Sequence, residues 1–294
     1  MSPTLTQLRM FVEIVQFGSF SAAAAELGVS QSTLSEGIRT LERTTGQVLL
    51  KRSRVGVSLT PAGERTIEHA RTAVQATQDF LHAASDVQIL RGRLRIVAVR
   101  SAATHLLPPV IAAFLKQHPR VDVQVIDTEL EAEPGAEVLQ RGQADIAVFL
   151  QPPPEMTAGP LPVPLLSFPY YTDEFVAVLQ RKGRRGPLRW TELQGTLLLN
   201  IAGFTTNQLL QRHLAANGVP DLRVQLMRED SVVLAMVQHG LGFTILPRLA
   251  TLPLPVGLEA LPLPHPLYRT LTVNVLPQRA SLPVIAAFLA ALKH

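Results

Sequence analysis

Residues 22–42 read AAAAELGVSQSTLSEGIRTLE: an alanine-packed segment stops at Gly28, turns in three residues, and restarts behind Gln31, Ser32, Thr33 and Ser35. Gly28 supplies a backbone conformation that other residues reach only with strain. Ser30 is placed to cap the second segment, and Leu34, Ile38 and Leu41 recur at helical spacing to about Arg43. With those three facing inward, Gln31, Ser32, Ser35, Glu36 and Arg39 lie on the outer surface. Core helices rarely collect so many short polar groups at one end. Two short helices joined by a tight turn, the second polar in front, match a helix-turn-helix. Spacing alone slightly favours an ordinary helical hairpin with a polar solvent face, because short helix pairs are common.

Working outward, residues 5–17 carry Leu5, Leu8, Phe11, Val12 and Val15 in one helical stripe, broken by FGSFS. Ser21 is the expected cap of the helix Ala22 to Leu27. After the polar helix, LLKRSRVGVSLT forms a short hairpin with Gly56 near its tip and Arg52 and Arg54 displayed. Thr60 and Pro61 start a further helix, cap then proline, running to roughly Gln88. In it Ile67, Val74 and Leu81 recur every seven residues, with Ala70, Thr77 and Ala84 three later, which is the seam of a paired helix. Packing on its own domain is the plainer alternative, but a helix of about 29 residues runs some 40 Å, more than a small domain covers.

The chemistry of the polar front suits DNA. Gln31 can make paired bonds to an adenine edge, and Ser and Thr hydroxyls can bond to bases or phosphates. Arg39, Arg52 and Arg54 can meet phosphates, as can the free N–H groups at the helix start.

The whole chain of 294 residues suits two or three folding units, and 47% hydrophobic with 17% charged residues describes a well-packed globular protein. There is no cysteine, so disulfides and thiolate metal sites are excluded. The start lacks a basic stretch followed by an apolar run, and the longest apolar runs are too short to span a bilayer. A cytoplasmic location with no membrane partner is expected. The net charge of +4 is modest, so the placement of the arginines carries more weight than their number.

From Leu94 onward strands and helices alternate. LRIVAV, a helix in THLLPPVIAAFLKQHP, VDVQVI, a helix at 136–141, and ADIAVFL make a βαβαβ order that implies a parallel sheet. QPPPEMTAGPLPVP is a proline-rich crossing. A second set follows: EFVAVL, TLLLNI, a helix at 206–217, RVQLM, a helix at 231–239, and GFTILP. LTVNVL and the helix in SLPVIAAFLAALKH close the chain.

The first sixty residues resemble the winged helix-turn-helix of LysR-type transcriptional regulators, with SFSAAAAELGVSQSTLS and the trailing LTPAG as the specific stretches. The resemblance continues through the linker helix, LLPPVIAAFLKQHPRVDVQV, LQRGQADIAV and EDSVVLAMVQHGLGFTILP. It implies a multi-domain protein: an N-terminal all-α winged helix-turn-helix over 1–59, a linker and dimerisation helix over 60–90, and a C-terminal α/β effector domain over 91–294. Within that domain it implies two Rossmann-like, periplasmic-binding-protein-like subdomains, 91–163 with 269–294 and 164–268. It implies a homodimer or homotetramer on a partly palindromic double-stranded DNA site, with a small-molecule effector between the subdomains. By position, Gln31, Ser32, Thr33, Ser35 and Arg39 resemble the recognition-helix contacts, with Arg52 and Arg54 in the wing. Leu49-Leu50 stands where the family commonly has Leu-Phe, and Glu36 where a basic or polar residue is common.

In open α/β sheets ligands sit at the carboxyl ends of strands, which names VAVRSAATH, FLQ at 149–151, NIAGFTTN at 200–207 and REDS at 228–231. The expected effector contacts are Arg100, Ser101, Thr104, Phe149, Gly203, Phe204 and Thr205. Ser101 and Thr104 stand where the resemblance places effector-contacting hydroxyls; Thr205 and Thr206 are expected caps of the facing helix, and Ser231 a cap of its own. Arg100 replaces a proline or small residue of the family and points to a carboxylate-bearing ligand. An ion pair of Arg100 with Asp127, Glu129 or Glu229 is the equal alternative, since buried arginines are usually paired.

Enzymatic readings find no support. The eight histidines are scattered without metal-ligand spacing, and there is no Gly-x-Ser-x-Gly elbow. GLGF at 240–243 follows a helix, and Gly240 ends that helix. Neither a cofactor nor a metal is expected. The expected function is ligand-responsive transcriptional control; the alternative is a solute-binding sensor whose N-terminal unit serves assembly.

Overall fold

The computed structural model describes residues 2–53, 56–83, 90–128, 135–151, 164–181, 186–200, 204–219 and 222–293. The chain forms two compact units, Met1–Val87 with Gln140–Gln143, and Gln88–Leu139 with Ala144–His294.

The first unit begins with α1 (Leu5–Phe17), α2 (Phe20–Leu27) and α3 (Gln31–Thr45). A capping box starts α1, in which Thr4 Oγ1 accepts from Gln7 N at 3.3 Å and Thr4 N donates to Gln7 Oε1 at 2.9 Å. Its buried face is Met10, Phe11 and Ile14, rotated from the expected stripe, and Leu5 is 47% exposed. Ser19, not the expected Ser21, caps α2, because the helix already begins at Phe20. Gly28 takes φ 65° and frees the chain to turn. Ser30 caps α3 as expected, accepting from Thr33 N at 3.0 Å, and Leu34, Ile38 and Leu41 are buried. The helix runs two residues beyond Arg43 and closes on Gly46. Gly37 lets α3 cross α1 closely, since a Cβ there would lie 2.4 Å from Met10 Sδ.

Strands β1 (Leu50–Ser53) and β2 (Gly56–Leu59) pair antiparallel, with Arg52 opposite Val57. The Glu42 carboxylate anchors this hairpin to α3 by accepting from Leu49 N at 2.8 Å and Leu50 N at 3.3 Å. Thr60 Oγ1 accepts from Gly63 N at 3.0 Å and donates to Val48 O at 2.6 Å, so it caps α4 (Pro61–Ala83) and ties it to the hairpin. The first seam positions of α4, Ile67 and Ala70, are buried in this unit's own core. Packing on its own domain therefore holds for that half of the seam. Val74, Thr77 and Leu81 instead line a cavity of about 300 Å3 with Leu5, Met10 and Val29, and Phe80 is 71% exposed. Ala84 falls outside the described residues.

In the second unit the first lobe contains β3 (Gly92–Val99), α5 (Arg100–His105), α6 (Leu107–Gln117), β4 (Val121–Thr128), α7 (Gly135–Gln140) and β5 (Ile146–Leu150). Strand β3 lies parallel to both β4 and β5, as the alternation predicts. The helix expected in THLLPPVIAAFLKQHP is α6, with the prolines in its first turn; α5, ending at His105, was not expected. Pro108 and Pro109 have no N–H to return to the carbonyls of Thr104 and His105, so continuity fails there. The proline-rich crossing lies almost entirely outside the described residues.

Next, β6 (Leu166–Gln180) runs through both lobes, far longer than the expected EFVAVL. Pro169 argues against a strand on sequence grounds, yet it pairs opposite Thr272, beside an irregularity between Leu271 and Thr272. The second lobe adds β7 (Thr196–Asn200), α8 (Phe204–Ala216), β8 (Arg223–Met227), α9 (Asp230–Gln238), β9 (Thr244–Pro247) and β10 (Leu258–Pro262), the last unforeseen. The chain then returns to the first lobe through β11 (Tyr268–Val275) and α10 (Pro283–Ala291). Strand order is β10-β6-β11-β5-β3-β4 with β9 also on β6, while β7 pairs parallel with β8.

Alternation explains why the second lobe is covered on both faces. Phe175, Ala177, Leu197, Leu199 and Ile245 pack against α8, whereas Val176, Val178, Leu198 and Leu246 pack against α9. Successive residues of a strand point to opposite faces, and here both are apolar. The first lobe has one core of strands, α5, α6 and α10, including Ile96, Phe114, Val148 and Phe288. Below it Asp145, 3% exposed, pairs with Arg95 at 2.9 Å and Arg279 at 2.7 Å.

Candidate nucleic-acid interface and interlobe cleft

The front of α3 is built by its cap. Ser30 Oγ lies 2.7 Å from Ser32 Oγ and 2.8 Å from Thr33 Oγ1, so three hydroxyls cluster at the helix start. Gln31, Ser32 and Thr33 are exposed, and no acidic residue occupies the first turn. A helix start of this kind attracts an anion through its dipole and free N–H groups.

Arg39 is exposed and pairs with Glu36 at 3.5 Å, the two side chains 73% and 65% open. Such a surface pair is worth about 0–1 kcal/mol, so a phosphate competes easily for Arg39. Glu36 thus balances a charge within α3 itself. Arg52 is held more firmly: its guanidinium sits 3.9 Å above the Phe20 ring, and its Nη2 donates to Ser35 Oγ at 3.4 Å. The hairpin is therefore locked to α2 and α3, and Ser35 and Arg52 form one surface. Phe20 was not among the expected residues, because only the fold sets its ring beneath Arg52. Arg54 falls outside the described residues.

The strand ends of the second unit bring Arg100 and Ser101 of the first lobe near Glu229 and Asp230 of the second. Arg100 Nη1 donates to Glu229 Oε2, with the side chains 33% and 38% exposed. The ion-pair alternative holds for Arg100, with Glu229 as partner; Glu129 and the Asp127 side chain lie outside the described residues. Ser101 Oγ accepts from Arg269 Nη2 at 2.7 Å. Arg269 in turn donates to Asp173 Oδ2 at 3.0 Å, both side chains nearly sealed at 2% and 1% exposure. Asp173 Oδ1 also accepts from Leu249 N at 3.3 Å. Across from them Asn200 Nδ2 donates to Asp230 Oδ1 at 3.0 Å, and Asn207 Nδ2 to Asn200 O at 2.7 Å.

Burial pushes the Asp230 carboxyl above the ordinary carboxylate range. The Asn200 hydrogen bond and the charges of Arg100 and Arg269 oppose this, and the neighbouring Glu229 adds to it. Arg269 and Asp173 escaped the sequence reading, whereas Asn200 and Asp230 fall inside the stretches it named at 200–207 and 228–231. Nothing in one sequence marks a pair 96 residues apart.

Thr104 is exposed on α5, whereas Phe149 is 7% exposed and belongs to the first lobe's core. Helix α8 begins at Phe204 and α9 at Asp230, so Thr205, Thr206 and Ser231 stand inside their first turns and cap neither helix. Gly203 and the Phe204 side chain fall outside the described residues. Gly240, with φ 78°, follows α9 as expected. Among the described residues no three His, Asp or Glu side chains converge as a metal site, and no helix is long and apolar enough to cross a membrane.

Two family models match the chain: "Bacterial regulatory helix-turn-helix protein, lysR family" over residues 5–64 and "LysR substrate binding domain" over residues 88–294. The probable HTH-type transcriptional regulator LrrA of Synechococcus elongatus is 36% identical, over 99% of this chain and 96% of that protein. A probable hydrogen peroxide-inducible genes activator of Mycobacterium avium is 32% identical, over 84% of this chain and 79% of the other. Among solved structures, a full-length OxyR variant from Pseudomonas aeruginosa aligns with TM-score 0.73 and 22% identity, covering 100% of this chain and 95% of that one.

Proposed function

Because the chain belongs to the LysR family of bacterial transcriptional regulators, we propose that α3 enters the major groove of a partly palindromic duplex site. It does so from a homodimer or homotetramer in the cytoplasm. Gln31, Ser32, Thr33 and Ser35 meet base edges and backbone, and Arg39, Arg52 and Arg54 meet phosphates. The observation that carries this reading is the open polar front of α3, whose opposite face holds the core through Leu34, Ile38 and Leu41. The chain is divided as 1–59, 60–90 and 91–294, and the last segment binds the effector between its lobes.

The effector is a carboxylate-bearing small molecule. Arg100 supports this, with Ser101, Thr104 and Thr205 nearby in the sequence pattern of strand ends, and Gly203, Phe204 and Phe149 completing the set. With no cysteine in the chain, a thiol cannot serve as its sensor.

Band-shift titration at several salt concentrations tests the DNA reading. The logarithm of affinity should fall with a slope of about −0.9 per phosphate neutralised, and Arg39→Ala should weaken all sequences alike and lower that slope by about one. Salt-insensitive binding contradicts it.

A further inference from the structure

We infer that Glu229 is an internal competitor for the ligand carboxylate, and that its ion pair with Arg100 is a latch between the lobes that a singly charged carboxylate releases. This rests on the effector-cleft reading above and deepens it. The two partners are 129 residues apart, one opening α5 at the end of β3, the other at the residue just before α9. They therefore join lobes that the strands join elsewhere.

Two ion pairs near the lobe junction behave differently. Arg269–Asp173 is a cross-strand pair of β11 and β6, nearly sealed from solvent and fixed further by Ser101 and Leu249. It is built into the β11–β6 ladder. Arg100–Glu229 lies off those strands, and a third or more of each side chain meets solvent. An open pair can exchange partners with a dissolved carboxylate; a sealed one cannot. Asp230, beside Glu229 and carrying the Asn200 hydrogen bond, adds a second acidic group at this spot. A ligand with two negative charges meets repulsion there, so the exchange favours one.

The cysteine-free chain permits a direct test. Ser281→Cys and Gln194→Cys place one exposed label in each lobe of the full-length protein. Spin-label distances are then measured with excess unlabelled copies, so that only pairs within a chain contribute. Glu229→Gln and Arg100→Gln should each broaden the distance distribution and move it to longer values. The double variant should go no further than either single one, and the exchanged pair Arg100→Glu with Glu229→Arg should restore the narrow distribution. Butyrate should open the wild type at lower concentration than succinate, and chloride at equal ionic strength should act less than either. An unchanged distribution in Glu229→Gln, additive single effects, or equal responses to chloride and butyrate overturn the inference. Opening by succinate before butyrate overturns its single-charge part. If the latch fails while DNA binding stays salt-steep, the regulator reading stands and only this inference falls.

Discussion

Gly63, in the LTPAG stretch, is required by contact: a Cβ there would lie 2.2 Å from Leu49 O. Gly63→Ala should therefore cost about 1–3 kcal/mol, the range for forced overpacking, read as a lower urea midpoint with unchanged slope. Asp145 works through charge. Burial alone would raise its carboxyl, but the charges of Arg95 and Arg279 and the hydrogen bonds from Arg95 hold it below the ordinary range. A depressed carboxylate contributes stability that is present above about pH 3.9 and lost as pH falls through the folded value. Asp145→Asn should lose about 3–5 kcal/mol near neutrality, since it removes a charge paired with buried Arg279 and half-buried Arg95. It should also show a flatter acid limb in denaturation followed against pH. Equal stability of variant and wild type at pH 7 would remove the ion trio from the account. Local rules made Ser30, Gly28 and Thr60 legible in advance. Arg100–Glu229 was foreseen as one of three pairings, whereas Arg269–Asp173 was not, because only the completed fold brings those distant positions together.

At the scale of elements, legibility followed the strength of the local pattern. Helix α3 and the β1–β2 hairpin stood where spacing and turn residues placed them. Helix α5 was missed because six residues carry too little pattern, whereas the prolines near its start made α6 legible. The first half of β6 was missed for the converse reason, since Pro169 sits in a strand that its neighbour β11 holds in place. Short β10, between prolines, carried too little pattern to stand out. The hairpin makes a prediction of its own. Arg52→Ala removes a cation–π contact worth about 0.5–1 kcal/mol at an exposed site, together with the Ser35 hydrogen bond. It should weaken DNA affinity with little change in the thermal midpoint, measured by band shift beside calorimetry. A large loss of stability instead would mean that Arg52 serves the fold more than the interface.

At the scale of the whole molecule, two units carry two tasks. The family membership and the two-lobed α/β architecture establish a transcriptional regulator. On the proposed reading, base choice rests on the front of α3, whose inward face is committed to the core through Leu34, Ile38 and Leu41. The most direct test is the affinity of the full-length protein for a set of operator variants changed one base pair at a time, measured for wild type and for Gln31→Ala. The account predicts that wild type loses about 1–3 kcal/mol at particular positions, and that Gln31→Ala flattens the profile at an adenine-bearing position while the others persist. A base profile identical in the two proteins, at every position, would contradict the assignment of α3 as the reading element.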